Sequence, residues 1–289
     1  VSFVEDFVPV SIVTDSTCDL TAAQASSLGI DLVPILVRFG TQEFRDGVDL
    51  HLGDFYAKLD PNGELPVTAP PPPEAFVNVF RKHVQAGNDV ICITLGSKLS
   101  KTFEHAQHAA GEFGAKVQVV DSKTISSGAG MLVLNAARLA KTGEGAEIIV
   151  AATKKAMSTQ YGYAIYPDLK FLAKSGRINK AQLVLGTVMH LFPVTRIGSD
   201  GSLESETTVK SWEQAQQMLA SVMSRKLERP SQARVAVTHT HAPELAQAIA
   251  NELRSKLSAP LKELAIYEAG PTIAANAGPG AAGIFMMED

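Results

Sequence analysis

The chain has 289 residues, 45% hydrophobic and 19% charged, with a net charge of −4. That balance supplies a core for one large domain or two modest ones, and it lacks the basic surplus of a nucleic-acid binder. Cys18 and Cys92 stand far apart, too few for a disulfide framework or a metal-ligand set, so a reduced, cytoplasmic chain is expected. Residues 1–10 include Glu5 and Asp6 and do not read as a signal peptide. No apolar run reaches membrane-spanning length.

Residues 10–14 read as a strand and 15–19 as a loop. A short helix follows and stops at Gly29, a C-cap type of residue. Residues 32–38 form a second strand, 44–49 a turn region around Asp46-Gly47, and 52–59 a short helix. Pro70 to Pro73 force an extended segment, because proline blocks helix at itself and just before itself. Residues 74–86 are amphipathic, with Phe76, Val79 and Phe80 on one face. The run 89–95 is continuously β-rich, as in a buried parallel strand. A helix over 99–113, a strand over 116–121 and a helix over 131–139, entered through Gly128 and Gly130, complete a βαβα order. That order predicts a parallel, doubly wound sheet, and a helix over 144–157 leads out of it.

In the second half, 161–165 is strand-like, and 168–174 and 179–189 look helical on either side of Gly176-Arg177. Residues 191–198 and 203–209 flank Ser199-Asp200-Gly201, a hairpin signal. A helix over 212–227, a strand over 234–238, a helix over 243–257 and a strand over 261–267 follow. The end reads as a Gly/Ala-rich loop with a short strand over 283–287. The expected division is an N-terminal α/β domain at 10–157 and a second α/β domain, containing the hairpin, at 158–289.

Three polar loops follow strands of the first unit: Asp15 to Asp19, Gly96 to Thr102, and Asp121 to Gly130. In open α/β sheets ligands bind beyond the carboxyl ends of the strands, and hydroxyls with free N–H groups suit a carboxylate or phosphate. Each loop also has a plain structural reading, such as Asp19 or Thr21 capping a helix. Thr68 precedes the rigid proline stretch, which would fix where its hydroxyl points; the duller alternative is a surface loop. Arg177 is an anion clamp, a partner contact or an exposed arginine. Gly278 to Gly283 matches a dinucleotide fingerprint in letters only, without the following helix and acidic residue that the fingerprint needs. His239 and His241 have the spacing of half a metal site, but no cysteine or carboxylate cluster supports it, and they read as loop histidines. With no Walker A loop, nucleophile elbow or zinc signature, neither a catalytic residue nor a metal site is expected.

Together these pieces resemble the DegV family, over about 10–289. The resemblance is carried by Thr14-Asp15-Ser16-Thr17-Cys18-Asp19-Leu20, by Thr68 with its prolines, by Ser97-Lys98-Leu99-Ser100-Lys101-Thr102 and by Asp121-Ser122-Lys123. Leu169-Lys170-Phe171-Leu172 leading into Gly176-Arg177-Ile178, and Gly278-Pro279-Gly280, add to it. It implies a two-domain α/β fold that binds one long-chain fatty acid and needs no cofactor. It further implies that Thr68 and Ser100 hold the carboxylate, with Ser97 and Asn276 beside them, and it makes Arg177, Ser16 and Thr102 candidates for a head-group or partner contact. The implied partner is the catalytic subunit of a bacterial fatty acid kinase, which makes an acyl-phosphate on the bound lipid. The chain itself would then not be an enzyme, and a transient contact with a membrane surface would fit the same role. Hydroxyls alone would leave the carboxyl without a strong counter-ion.

This sequence departs from the family pattern in places. Asn276-Ala277 stands where His-Thr is usual, and an asparagine can hydrogen-bond but cannot pair charge. Lys101 replaces a glycine, Gly96 a serine, and Phe192-Pro193 a Lys-Pro pair. Two other readings stay open: an α/β enzyme acting on a small anionic substrate, and a lipid-sensing regulatory protein.

Overall fold

A computed structural model describes residues 8–59, 63–177 and 191–288; the helix expected over 179–189 lies outside them. The chain begins with β1 (Val10–Asp15), α1 (Ala22–Leu28), β2 (Asp31–Val33), β3 (Leu36–Phe39) and β4 (Gln42–Arg45). It continues with α2 (Leu52–Lys58), β5 (Val67–Ala69), α3 (Pro73–Gln85), β6 (Asp89–Thr94), α4 (Thr102–Ala110) and β7 (Val117–Asp121). Four of these strands form a parallel sheet in the order β2-β1-β6-β7. Its central strands feed two cores. Ile12, Ile91 and Ile93 belong to one, while Val13, Val90 and Cys92 pack against Phe76, Phe80, Ala106 and Ala109 of α3 and α4. Burial on both faces is why these strands read as unbroken apolar runs.

The single strand expected over 32–38 is two strands. Pro34, which has no N–H to give a ladder, divides them: β2 joins the parallel sheet, while β3 crosses into a separate antiparallel sheet of order β4-β3-β5. Part of the turn region expected over 44–49 is therefore strand, and Thr68 sits on β5 rather than in a loop.

The rest of the chain contains α5 (Ser127–Lys141), α6 (Ala146–Met157), β8 (Tyr161–Ile165), α7 (Lys170–Ser175), β9 (Phe192–Ile197), β10 (Leu203–Val209) and α8 (Trp212–Ser224). Then come β11 (Ala233–His239), α9 (Pro243–Lys256), β12 (Glu263–Glu268), α10 (Pro271–Ala277) and β13 (Ala282–Glu288). A six-stranded mixed sheet forms in the order β10-β9-β8-β13-β11-β12. The hairpin of β9 and β10 pairs Ile197 with Leu203, as its turn predicts. Every strand of the parallel sheet precedes Met157 and every strand of the mixed sheet follows it.

The two sheets share a helical layer. Val133, Leu134, Ala136 and Ala137 of α5, with Ile149 and Val150 of α6, pack on the parallel sheet. Met131, Leu132 and Ala156 of the same helices pack on Ala236, Phe285 and Met287 of the mixed sheet. The far face of the mixed sheet is covered by α8 and α9 through Leu219, Met223, Ile249 and Leu253. Ser127 to Leu134 of α5 are all buried, the mark of a helix enclosed on all sides. Where α5 meets the turn after β1, a Cβ at Gly130 would overlap the Cys18 carbonyl oxygen. Gly130→Ala should therefore lower stability by about 1–2 kcal/mol in urea unfolding, the overpacking cost exceeding alanine's helix-propensity gain.

Candidate functional site

The loops after β1, β6 and β7 lie side by side at one edge of the parallel sheet, as their strand order requires, and carboxylates join them. Asp15, fully buried, accepts from the Thr17 amide (3.0 Å) and hydroxyl (2.5 Å) in its own loop, and from the Leu95 amide (2.8 Å) in the next. Asp121 accepts from the Ser97 amide (3.0 Å), the Ser97 hydroxyl (2.6 Å) and the Lys123 amide (3.0 Å). The loops thus form one rigid rim.

Between this rim and the face of the mixed sheet is a cavity of about 1010 Å³, counting the solvent at its mouth. The rim contributes Leu95, Leu99 and Ile125, and the sheet contributes Gly162, Ala164 and Gly283. The shared helical layer starts only at Ser127, so the space just ahead of α5 is left between the sheets.

Polar groups gather at one part of the wall. Arg177 lies just past Gly176, the left-handed cap that ends α7. Its guanidinium donates to the Leu99 carbonyl (3.0 Å), the Ser175 carbonyl (3.2 Å), Asn276 Oδ1 (2.5 Å) and Thr68 Oγ1 (3.3 Å). Asn276 Nδ2 in turn donates to the Thr272 carbonyl (2.7 Å) and to Thr68 Oγ1 (3.3 Å). Both lone pairs of the Thr68 hydroxyl are engaged, so its proton is left to donate. Ser100 also lines the cavity; its Oγ accepts from the Thr102 amide (3.3 Å) and shares a bond with the Thr102 hydroxyl (2.9 Å). Burial holds the Arg177 guanidinium below its ordinary range, and none of its partners among the described residues is a carboxylate.

Four of the sequence-derived residues, Thr68, Ser100, Asn276 and Arg177, therefore meet at one cavity. Three do not form its wall. Ser97 is turned to Asp121, the acceptor at the end of the adjacent strand. Ser16 donates to Asp46 (2.9 Å) and accepts from the Ile35 amide (3.1 Å). Thr102 is fully buried behind Ser100. Arg177, expected as a candidate head-group or partner contact, brings a guanidinium to this cluster and bonds to Asn276.

Sequence reasoning also missed two features. His239 is the last residue of β11 and lines the cavity instead of sitting in a loop. Its Nδ1 accepts from the Ala242 amide (3.3 Å), which puts the proton of the neutral ring on Nε2. The segment that carries Asn276 is a helix, not a Gly/Ala-rich loop, and Pro271 at its first turn is the signal that could have revealed it. Among the described residues no group of side chains could hold a metal ion, and no helix is long and apolar enough to cross a membrane.

Beside the cavity lies a knot of buried acids. Asp19 does not cap α1, a task that Thr21 performs with Gln24. It accepts from Ser126 Oγ (2.5 Å) and the Gly270 amide (2.9 Å). Ser126 has φ of 61°, unfavourable for a residue with a side chain, and this bond helps hold it there. Asp46 accepts from Ser16 and from the Thr272 amide (3.3 Å). Burial, and then the neighbouring carboxylates, push Asp19 up to about 7 and Asp46 up to about 6.

Unfolded, both carboxyls would ionise near 3.8, so the folded state binds more protons than the unfolded state between about pH 4 and 7. Their contribution to stability is full below that window and is lost as pH rises through it. Urea unfolding should show stability falling by several kcal/mol, on the order of 5, from pH 4 to pH 8 on account of this pair. Asp19→Asn should flatten the slope without loss of the fold.

The chain matches the profile of the family described as "Uncharacterised protein, DegV family" over residues 9–289. A DegV domain-containing protein of Caldanaerobacter subterraneus is 31% identical over 280 residues, 96% of this chain and 99% of that one. One from Deinococcus radiodurans is 30% identical over 275 residues, 95% of this chain and 97% of the relative. Among solved structures, a fatty-acid-binding DegV family protein of Thermus thermophilus superposes with a TM-score of 0.91 at 28% identity, covering 98% of this chain and 100% of that one. DegV of Bacillus subtilis, described as a fatty acid binding protein, gives 0.86 at 26% identity with the same coverage. Matched in sequence and in fold along almost its full length, the chain belongs to the DegV family.

Proposed function

We propose that this protein binds one long-chain fatty acid and presents its carboxylate to a separate kinase subunit for acyl-phosphate formation, without catalysing a reaction itself. The observation that carries the binding reading is the cluster of Arg177, Asn276, Thr68 and Ser100 on the wall of a cavity whose other surfaces are largely apolar. A carboxylate brought out of water must be hydrogen-bonded or it takes up a proton. Thr68 has a proton to offer it, and Arg177 a charge that no described carboxylate neutralises. The fatty acid binding described for the Thermus thermophilus and Bacillus subtilis relatives supports the same ligand class.

Affinity would come mainly from the chain. At roughly 0.8 kcal/mol per buried CH₂, about 14 methylenes contribute on the order of 11 kcal/mol before entropic costs. The head-group cluster then sets orientation. A second protein that reaches the carboxylate would do so beside Thr68 and Arg177, and a cytoplasmic setting with brief contact at a membrane surface fits that exchange.

Mass spectrometry of the organic extract of purified protein, against a host-lipid control, should find near-stoichiometric fatty acid. Finding none, with no uptake of added palmitate, would remove this reading in favour of an enzyme for a small anion. Arg177→Met should weaken palmitate by about 10-fold to 100-fold, the value of charge-assisted hydrogen bonds, and leave hexadecanol binding nearly unchanged. Thr68→Ala combined with Ser100→Ala should keep the acyl chain bound but abolish phosphorylation in the presence of ATP and a kinase subunit.

A further inference from the structure

The face of the mixed sheet that floors the cavity is laid out in cross-strand rows. In one row Gly283 stands opposite Thr238 on one side and Ala164 on the other, and Ala164 stands opposite Thr195. All four line the cavity. Two residues further along, on the same face by the period of a strand, the next row brings Phe285 between Ala236 and Gly162. Toward the other end, Ala281 packs with Ala277, the neighbour of Asn276. From Ala281 to Phe285 the floor spans about 13 Å, over small side chains, and there it meets an aromatic ring.

That ring has a built seat. A Cβ placed at Gly128 of α5 would come within 2.8 Å of it, at Gly162 of β8 within 2.7 Å, and at Gly283 of β13 within 3.0 Å. Glycines from three elements thus leave room for one ring, which is 4% exposed and still forms part of the cavity wall. Past Gly162 and Ile197 the space changes character. These two residues also border a second groove, lined by Asp121, Lys123, Lys154 and Glu204, where a methylene chain would meet charged groups.

We propose that the Phe285 ring is the end wall of the acyl site and sets the longest chain that the site accepts; this rests on the fatty-acid reading above. The alternative is a ring that only fills the core with Met131, Leu132 and Met287. The two roles predict different readouts. A core ring changes stability and leaves chain preference alone. An end wall changes the ratio of affinities for long and short chains.

The test uses the full chain and competition binding with straight saturated acids from dodecanoate to eicosanoate, alongside thermal unfolding. Phe285→Leu shortens the wall and should raise the octadecanoate-to-tetradecanoate affinity ratio by about tenfold or more, given the increment per methylene. Gly162→Ala adds a methyl group against the ring and against Ile197 (3.3 Å), pushes the ring into the cavity, and should shift the ratio the other way. Opposite shifts support the proposal. Native ratios in both variants, with fatty acid still bound, overturn it. If Phe285→Leu fails to fold, an unchanged ratio in Gly162→Ala alone overturns it. A native protein that takes up none of these acids overturns the fatty-acid reading itself, and the end wall with it.

Discussion

One helix holds this molecule together. α5 is enclosed between two sheets, so it must be apolar on every side and small wherever backbone comes close. Val133 and Ala136 meet the parallel sheet, Met131 and Leu132 meet the mixed sheet, and Gly130 admits the Cys18 carbonyl. Because both halves pack on the same few turns, their spacing is fixed by side-chain volume rather than by a linker. A densely packed interior transmits such a constraint instead of absorbing it.

The cavity follows from where that layer begins. Among the described residues, the shared helical layer begins at Ser127, and ahead of it loop residues such as Leu99 and Ile125, strand residues such as Thr68 and Ala164, and Asn276 of α10 line the space. The rim is stiffened by carboxylates that accept backbone amides across loops, Asp15 from Leu95 and Asp121 from Ser97. The cost falls on the buried acids Asp15, Asp19 and Asp46, which burial drives away from their charged form. Asp19 and Asp46 show it most, held at the junction of the β1 loop, the turn after β4 and the start of α10. A carboxyl there is useful for its two acceptor oxygens, whatever its charge.

Periodicity made most of the framework legible. Apolar runs marked β1 and β6, and Ser199-Asp200-Gly201 marked the hairpin. What escaped depended on partners distant in sequence. A proline inside an apolar run did not announce that β3 would leave the sheet of β2, because both halves of that run are equally hydrophobic. Thr68, Ser100, Arg177 and Asn276 were singled out by resemblance and motif, yet their mutual bonds join residues as much as 208 positions apart, beyond the reach of any local pattern. Ser97 was expected beside Ser100 at the carboxylate; Ser97 instead bonds to Asp121, whose strand end lies next to it, while Ser100 lines the cavity.

β13 is the last strand among the described residues, yet it occupies the middle of its sheet, between β8 and β11. Until residues 282–288 leave the ribosome, β8 and β11 each present an unpaired edge, the kind of surface that invites wrong pairing. The parallel sheet can form earlier, since all its strands are made before Met157, in keeping with the N-terminal-first folding of growing chains. Gly283 and Phe285, which complete the floor of the cavity, arrive on that same closing strand. A nascent chain therefore has no finished cavity to offer a ligand, and the step that seals the sheet is also the step that creates the site.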